Sequence, residues 1–405
     1  MRFLSSRSLA PLYLLIALPL FLLLAGCPKP KTPADANYTP PAVNAKAPAG
    51  EPIKIGAIFA VTGPGAPLGE PEQAAAKMVE EKLNAAGGIK GRPVQLIIED
   101  DASDETKAKL AAKKLIEQDK VCAIIGPTTS GPSLAVIEPC ETAQIPLITC
   151  AASVKITNPV KKWVFSTAQT DVLAVQRLIG YLDERKFKNV AIICDSNAFG
   201  QSGADQLKAL LPKANVKIVD EEKFGSKDTD MTAQLTKIKA KDPQAIICWG
   251  TNPGPAVVAK NVKSMGLKSA LIMSHGIANM KFIELAADAA EGVVFPAGKL
   301  LIKGELPDSD PQKAVLTDFS TQFEAAAKKP ANTFGGHAFD ALQILKAAIE
   351  KAGTDAAALR DAIEATKSYA GIGGVFNLSA TDHNGLTKDA FALVTIKGGK
   401  WTQVK

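Results

Sequence analysis

The chain has few of the residues on which catalytic and metal sites depend. Only three of its 405 residues are histidines, His275, His337 and His383, and they lie far apart in the sequence. No carboxylate pattern beside them has the spacing of a metal site. The sequence also contains neither a Gly-Lys-Ser/Thr phosphate loop nor a Gly-x-Ser-x-Gly nucleophile elbow. We therefore expect no metal, no cofactor and no enzymatic activity.

The glycine loop after the first predicted strand is not a dinucleotide-binding motif. Gly63 and Gly65 are not followed by a third glycine at the required distance. Pro64 and Pro67 interrupt the start of a helix at the place where that motif binds a pyrophosphate. The stretch Thr62–Pro71 is therefore predicted to be a loop.

Aromatic residues and reactive cysteine pairs are also scarce. Aromatics make up 5% of the chain, and its 47 basic residues are interspersed with 41 acidic ones. A nucleic-acid-binding face would need clustered basic residues, so we expect no nucleic-acid partner. No Cys-x-x-Cys pair occurs, and three cysteines (Cys122, Cys194 and Cys248) lie in aliphatic runs typical of a core. Cys140 and Cys150 flank a turn, and neither a disulfide framework nor a zinc site is expected.

The N-terminus is typical of an exported lipoprotein. Arg2 and Arg7 precede the apolar run Leu9–Leu24, which two prolines interrupt and which is short for a membrane span. Leu-Ala-Gly-Cys follows and ends at Cys27, a pattern in which small residues precede a thiol that accepts a lipid. Residues 1–26 are predicted to be a lipoprotein signal peptide with Cys27 as the lipid attachment site.

Residues 27–50 differ in composition from the rest of the chain. They are rich in Pro, Ala, Lys and Thr and have almost no large apolar side chains. Such a segment cannot bury a core and is predicted to be a solvated tether. We expect the protein to be exported and bound through acylated Cys27 to a bacterial membrane, on its periplasmic or extracellular face.

From Glu51 onward the chain alternates apolar strands with amphipathic helices, and the alternation restarts in its second half. The predicted strands are Ile53–Phe59, Val94–Glu99, Val121–Ile125, Pro146–Thr149, Val190–Cys194, Val216–Asp220, Ala245–Trp249, Ala270–Met273, Gly373–Leu378 and Ala390–Ile396. Continuous apolar strands separated by helices are typical of parallel sheets covered on both faces. The sequence therefore predicts an α/β fold with two similar doubly wound lobes, whose strand ends face each other across a cleft.

Two loops after predicted strands have the composition of an anion site. Residues 126–131 (Gly-Pro-Thr-Thr-Ser-Gly) and 150–153 (Cys-Ala-Ala-Ser) offer backbone N–H groups and hydroxyls where a helix begins. Unpaired N–H groups and the helix dipole favour a carboxylate at such a position. The alternative is that Ser130 and Ser153 only cap helices.

Several longer motifs carry a family resemblance. They are IKIGAIFAVTGPGAPLG, NAAGGIKGRPV, EDD, AIIGPTTSGPSLAV, QIPLITCAAS, DSNAFGQSGA, FGGHAFDAL and DHNG. From Ile53 to its C-terminus the chain resembles the type I periplasmic binding proteins, in the branch that binds branched-chain amino acids for ABC transporters. The resemblance implies two flavodoxin-like lobes joined by a three-crossover hinge, with 51–168 plus 299–380 as lobe 1 and 169–298 plus 386–405 as lobe 2.

The resemblance also implies a set of ligand-binding residues. Ser130, Ala151 and Ser153 would hold the ligand carboxylate, and Phe199 stands where the family has an aromatic residue that covers the ligand. The remaining implied positions are Thr251 and His275 in the second lobe, and Phe334 and Leu68 in the first.

One position departs from the family pattern. Amino-acid binders carry an acidic residue at the place of His275, where it pairs with the ligand ammonium. An imidazole cannot do this, so a carboxylic acid without an α-amino group becomes an alternative ligand; an indifferent loop role for His275 is equally open. Asp171, the predicted N-cap of the first helix of lobe 2, is a weaker candidate for an ammonium partner. His337 is expected to be a packed helix-start residue and His383 a surface turn residue.

The function that follows is that of an extracytoplasmic substrate-binding lipoprotein of an ABC importer. It would bind a small hydrophobic amino acid or related carboxylic acid, act as a monomer, and deliver its ligand to the permease subunits. The alternative is a ligand sensor that uses the same clamshell to signal to a membrane partner.

Overall fold

The structure is a computed structural model that describes residues 48–404. The predicted signal peptide, the lipid attachment site at Cys27 and most of the predicted tether lie outside these residues. Among the described residues, no helix combines the length and the apolar character that crossing a bilayer requires.

The first sheet is built from the N-terminal part of the described chain. Its elements are β1 (Ile53–Phe59), α1 (Ala66–Ala85), β2 (Val94–Asp100), α2 (Glu105–Lys114), β3 (Ile124–Ile125), α3 (Ser130–Ala143), β4 (Leu147–Thr149) and β5 (Val164–Ser166). The strands are parallel in the order β2-β1-β3-β4-β5. The interior strand β1 is almost wholly buried, as expected when helices cover both faces of a parallel sheet.

Helix α1 begins inside the segment predicted to be a loop. The prediction of a loop over Thr62–Pro71 was wrong from Ala66 onward, because Pro67 lies in the first turn and Pro71 is tolerated farther inside. A proline in the first turn costs no hydrogen bond, since the N–H groups there have no intrahelical acceptor. Helix α2 is capped by Asp104, whose side chain accepts a hydrogen bond from the N–H of Lys107 at 2.8 Å.

The second sheet begins after β5. Its elements are α4 (Asp171–Glu184), β6 (Asn189–Asp195), α5 (Ala198–Leu210), β7 (Lys217–Phe224), α6 (Thr232–Lys239), β8 (Ala245–Trp249), α7 (Gly254–Ser264), β9 (Ala270–Met273), α8 (Met280–Ala286) and β10 (Val294–Gly298). The N-cap of α4 is Thr170, so the prediction of Asp171 as the cap was wrong by one residue.

The C-terminal part of the chain packs against the first sheet and then adds strands to the second. Its elements are α9 (Lys313–Ala327), α10 (Thr333–Ala352), α11 (Ala356–Glu364), β11 (Tyr369–Ala370), β12 (Val375–Phe376), β13 (Phe391–Lys397) and β14 (Lys400–Gln403). Helix α10 packs against α1 beside the first sheet, whereas β13 and β14 extend the second sheet as antiparallel strands. The second sheet has the order β14-β13-β10-β9-β8-β6-β7. The chain thus passes between the sheets three times, and the predicted α/β fold with two lobes is confirmed.

The surface position predicted for His383 is wrong. Its side chain is fully buried and stacks on Phe165, with ring centroids 4.2 Å apart. Nδ1 lies 2.8 Å from the carbonyl oxygen of Val164, and Nε2 lies 3.0 Å from Oε1 of Glu364. The turn that carries His383 is therefore held against β5, the edge strand of the first sheet. This is the point where the chain passes between the sheets for the third time.

Candidate functional site

The loops that follow the parallel strands of both sheets converge on one cavity of about 340 Å³. Each of the strands β1 to β9 contributes residues from the loop at its carboxyl end, and α10 adds two side chains. The residues used below are Leu68, Asp104, Glu105, Thr129, Ser130, Gly131, Ala151, Asp195, Phe199, Lys227, Thr251, His275, Phe334 and His337. Ligands of open α/β sheets bind at this edge, so the fold itself directs both lobes to one site.

The N-terminus of α3 forms the polar end of the cavity. Thr129 is the N-cap, but its side chain makes no capping hydrogen bond and its Oγ1 is buried without a partner among the described residues. The N–H groups of Ser130 and Gly131 lie in the first turn, where no intrahelical acceptor exists. These donors and the helix dipole favour an anion.

The loop before α3 is held by contacts to α1 and β1. Gly126 has φ of +79°, and a Cβ atom there would lie 2.0 Å from the carbonyl oxygen of Ile58, so only glycine fits. The Thr128 hydroxyl accepts a hydrogen bond from the Ala60 N–H at 2.9 Å and is itself bonded to the buried carboxyl group of Glu72. Burial raises the pKa of Glu72 well above 4.5. The donors at α3 are therefore positioned before any ligand arrives.

Ser153 differs from the other implied ligand residues because it does not line the cavity. Its hydroxyl bonds to Oγ of Ser202 on α5 at 2.8 Å, so it is turned away from the cavity. Its backbone N–H donates instead to Oγ of Ser130 at 3.3 Å. This contact uses an acceptor site of the Ser130 hydroxyl and leaves the hydroxyl proton available to a ligand. Ala151 does line the cavity.

The second sheet contributes an aromatic wall. Phe199 follows β6, and its ring lies edge-on to His275 with centroids 5.3 Å apart. The His275 ring lies 5.9 Å from Trp249 and 5.3 Å from Phe391. Thr251, which follows β8, lines the same part of the cavity. The packing buries Phe199 and His275 and makes this wall mainly apolar.

Two imidazoles line the cavity, and both are neutral over the physiological pH range. Burial, and to a smaller extent the nearby His337, lowers the pKa of His275 to about 3. Burial also lowers the pKa of His337 to about 4. Neither ring nitrogen of His275, nor Nδ1 of His337, has a hydrogen-bond partner among the described residues.

His337 is buried near the start of α10, as predicted for a packed helix-start residue, and it was not among the predicted ligand-binding residues. It lies in α10 with Phe334 three residues before it, and residues at this spacing share a helix face. Phe334 and Leu68 line the side of the cavity formed by α10 and α1. The spacing of Phe334 and His337 was the one signal that could have added His337 to the predicted site.

The charged residues of the cavity lie mainly at its rim. Asp104 and Glu105 at the start of α2 are exposed, as is Lys227 after β7. Asp195 is buried, but its Oδ1 already accepts hydrogen bonds from the Ser226 hydroxyl at 2.7 Å and from the backbone of the adjoining loop. Oδ1 of the buried carboxylate in this cavity is therefore already hydrogen-bonded within the protein.

Asp171 does not line the cavity, which removes it as an ammonium partner at this site. Its side chain is fully buried, and neither carboxylate oxygen has a partner in hydrogen-bonding geometry among the described residues. Burial raises its pKa and the nearby Ser202 and Trp249 offset part of the rise, so that the pKa of Asp171 is about 7.

No group of three or more histidine, cysteine or acidic side chains could hold a metal within residues 48–404. The five cysteines there are free thiols. Cys150 lines the cavity, and burial raises the pKa of its thiol well above 9.0. The site therefore offers hydrogen bonds and apolar contacts to a ligand.

Comparison with known proteins agrees with this geometry. Residues 52–400 match the periplasmic binding protein family. A Leu/Ile/Val-binding protein of Rhizobium johnstonii is 29% identical over 86% of this chain and 92% of its own length. An extracellular ligand-binding receptor of Rhodopseudomonas palustris superposes with a TM-score of 0.83 and 28% identity, covering 88% of this chain and all of its own.

A third relative was solved with its ligand. It is a branched-chain amino acid transporter substrate-binding protein of Streptococcus pneumoniae in complex with isoleucine, with a TM-score of 0.77 and 26% identity, covering 87% of this chain and 98% of its own. The family match spans most of the chain, and the two-sheet architecture is shared with the solved structures. The chain belongs to the periplasmic binding protein family.

Proposed function

We propose that this protein is the extracytoplasmic substrate-binding component of an ABC importer and holds a small hydrophobic amino acid or related carboxylic acid between its lobes. The observation that carries the proposal is the convergence of loops from all nine strands β1 to β9 on one cavity. Two of the relatives named above, those of Rhizobium johnstonii and Streptococcus pneumoniae, bind branched-chain amino acids or act in their transport, which supports a binding role and not a catalytic one.

The ligand carboxylate would lie at the N-terminus of α3. It would accept hydrogen bonds from the N–H groups of Ser130 and Gly131, from the Ser130 hydroxyl and from the N–H of Ala151. Hydrogen bonds to a charged group contribute about 1.5–3 kcal/mol each. Ser153 would act through Ser130, which it orients.

The apolar part of the ligand would pack on side chains from both lobes. Leu68 and Phe334 belong to the first-lobe side, and Phe199 and Thr251 to the second. A ligand that contacts both lobes stabilises the closed arrangement more than the open one, which is the requirement for ligand-driven closure. We take 51–168 with 299–380 and 169–298 with 386–405 as the two moving lobes.

The proposed partners follow from this role. The closed form would dock on ABC permease subunits as a monomer, and acylated Cys27 would hold the protein at the bilayer after removal of residues 1–26. A single lipidated cysteine with more than one acyl chain gives stable anchoring. If ligand-loaded protein stimulates the ATPase activity of reconstituted permease, importer function is supported over the sensor alternative.

A thermal-shift screen of amino acids, aliphatic acids and aromatic acids tests the proposal directly. We expect at least one small carboxylate to raise the melting temperature. Ser130→Ala should weaken its binding about 10- to 100-fold, because one hydrogen bond to a charged group is lost. Ser309→Ala, at an exposed position, is the matched control and should bind normally. If no carboxylate shifts the melting temperature, the proposed function is wrong.

A further inference from the structure

His275 and His337 are buried polar side chains whose hydrogen-bonding capacity is unused. Both line the cavity, with exposed fractions of 8% and 4%. Both nitrogens of His275 and Nδ1 of His337 have no partner among the described residues. Most buried polar atoms in proteins are hydrogen-bonded, so two such rings in one cavity point to a group that the ligand supplies.

The chemistry of a neutral imidazole indicates what that group is. Because both rings lie among apolar and aromatic neighbours, burial keeps them uncharged, with a pKa of about 3 for His275 and about 4 for His337. A neutral imidazole has one N–H donor and one acceptor nitrogen. A hydroxyl group also donates and accepts, and a carbonyl group accepts, so either group matches the rings without a net charge.

An ammonium group is a poor match for the same position. It has donors only, and its charge requires a negative partner when it is buried. Asp195, the buried carboxylate of the cavity, is bonded through Oδ1 to Ser226 and to its own loop, and Asp104 and Glu105 are exposed at the rim. Lys227, the basic residue of the rim, would repel an ammonium group.

We propose that His275 and His337 form a specificity pair that selects carboxylic acids bearing an uncharged oxygen, as in 2-hydroxy or 2-oxo acids with an apolar body, over the corresponding amino acids. This inference rests on the proposed function, because it assigns the ligand class of the same cavity.

Four probes that share one carbon skeleton test the proposed ligand class separately from the proposed function. They are (S)-2-hydroxy-4-methylpentanoate, 4-methyl-2-oxopentanoate, L-leucine and 4-methylpentanoate, titrated calorimetrically into the purified protein. The hydroxy or the oxo acid should bind at least about tenfold more tightly than L-leucine, because a buried site built to pair with an oxygen rejects a group that leaves it unpaired. L-leucine binding as tightly or more tightly overturns the inference and leaves the proposed function standing. If none of the four binds, the proposed function itself fails for this skeleton.

Apolar replacements of the two rings test the pair. His275→Leu and His337→Leu keep much of the side-chain volume but remove the hydrogen-bonding nitrogens. Each should reduce the ratio of hydroxy-acid to 4-methylpentanoate affinity by about three- to tenfold, the range of one neutral hydrogen bond. Glu105→Gln tests the rim carboxylate and should leave the ratio of hydroxy acid to L-leucine affinity unchanged. An unchanged ratio in both leucine variants, or loss of all discrimination in E105Q, contradicts the inference.

Nitrogen NMR of histidine-labelled wild-type protein gives a readout that does not depend on a variant folding. The chain has three histidines, and His383, bonded to Val164 and Glu364, is an internal control. Hydroxy-acid binding should move the ¹⁵N signals of His275 and His337 but not those of His383. Binding that leaves the signals of both cavity histidines in place overturns the inference.

Discussion

Replacement of Asp171 by asparagine should make the protein more stable, and increasingly so as the pH rises. Asp171 is the first residue of α4, is fully buried, and has no hydrogen-bond partner for either carboxylate oxygen among the described residues. Asparagine has nearly the same shape and no charge. The variant therefore removes the cost of ionising a buried carboxyl group while keeping the local packing.

The size of the effect follows from the pKa of Asp171, which burial raises from 3.8 to about 7. The folded protein keeps a proton that the unfolded chain releases between about pH 4 and 7. The free energy of unfolding therefore falls as the pH rises through this window and is level above it. One pKa unit corresponds to about 1.4 kcal/mol, so from pH 5 to pH 8 the contribution of Asp171 falls by about 3 kcal/mol.

Urea denaturation of the wild type and Asp171→Asn at pH 5 and pH 8 measures this contribution. The stability advantage of the variant over the wild type should grow by about 3 kcal/mol from pH 5 to pH 8. Other titrating groups change the free energy of unfolding of both proteins equally, so their effect cancels in this difference. Asp242→Asn, at an exposed position, is the matched control. Its difference in stability from the wild type should be the same at pH 5 and at pH 8. A D171N variant that is less stable than the wild type by a constant amount would refute the reasoning, because it would show an ionised, well-paired Asp171.

Four further substitutions test the packing and the site. Gly203→Ala should destabilise the protein by more than about 1 kcal/mol in a thermal melt, because a Cβ atom would lie 2.1 Å from Nε1 of the buried Trp249. Gly180→Ala, whose Cβ atom meets nothing within 4 Å in helix α4, should instead stabilise it by about 0.5–1 kcal/mol. His383→Gln should cost about 1–3 kcal/mol in urea denaturation, since it disrupts one buried and one partly buried hydrogen bond; an unchanged midpoint would contradict this. Phe199→Ala should weaken carboxylate binding about tenfold or more in calorimetry, because an aromatic wall of the cavity is lost; unchanged affinity would show that the ligand does not contact this wall.

The strands that could be predicted from the sequence are the buried, uninterrupted ones. Ala245–Trp249 and Ala270–Met273 were predicted with the bounds that the structure has. Strand β10 was missed because it contains Pro296. Strand β14 was missed because its residues Lys400–Gln403 are mainly polar and it pairs at the edge of the sheet.

The parts of the candidate site whose conformation depends on neighbouring residues in the sequence could be predicted. The Thr129-Ser130-Gly131 segment forms the start of a helix after a strand, and this pattern is visible in the sequence. The orientation of Ser153 depends on Ser202, which lies 49 residues later, so no local pattern could show it.

The burial of His383 is a long-range effect of the same kind. Its partner Val164 is 219 residues distant, and the turn composition around it is typical of an exposed segment. Such contacts follow from the tertiary fold and are absent from local patterns.

The central claim is that the cavity between the two sheets holds a small carboxylate at the N-terminus of α3. Calorimetric titration of the best carboxylate from the screen, beside its primary amide, tests this claim most directly. We expect one carboxylate bound per chain and an amide at least about 30-fold weaker, because the helix terminus and the Ser130 hydroxyl stabilise the negative charge. An amide that binds as tightly as its acid, or an acid whose affinity Ser130→Ala leaves unchanged, would contradict the account.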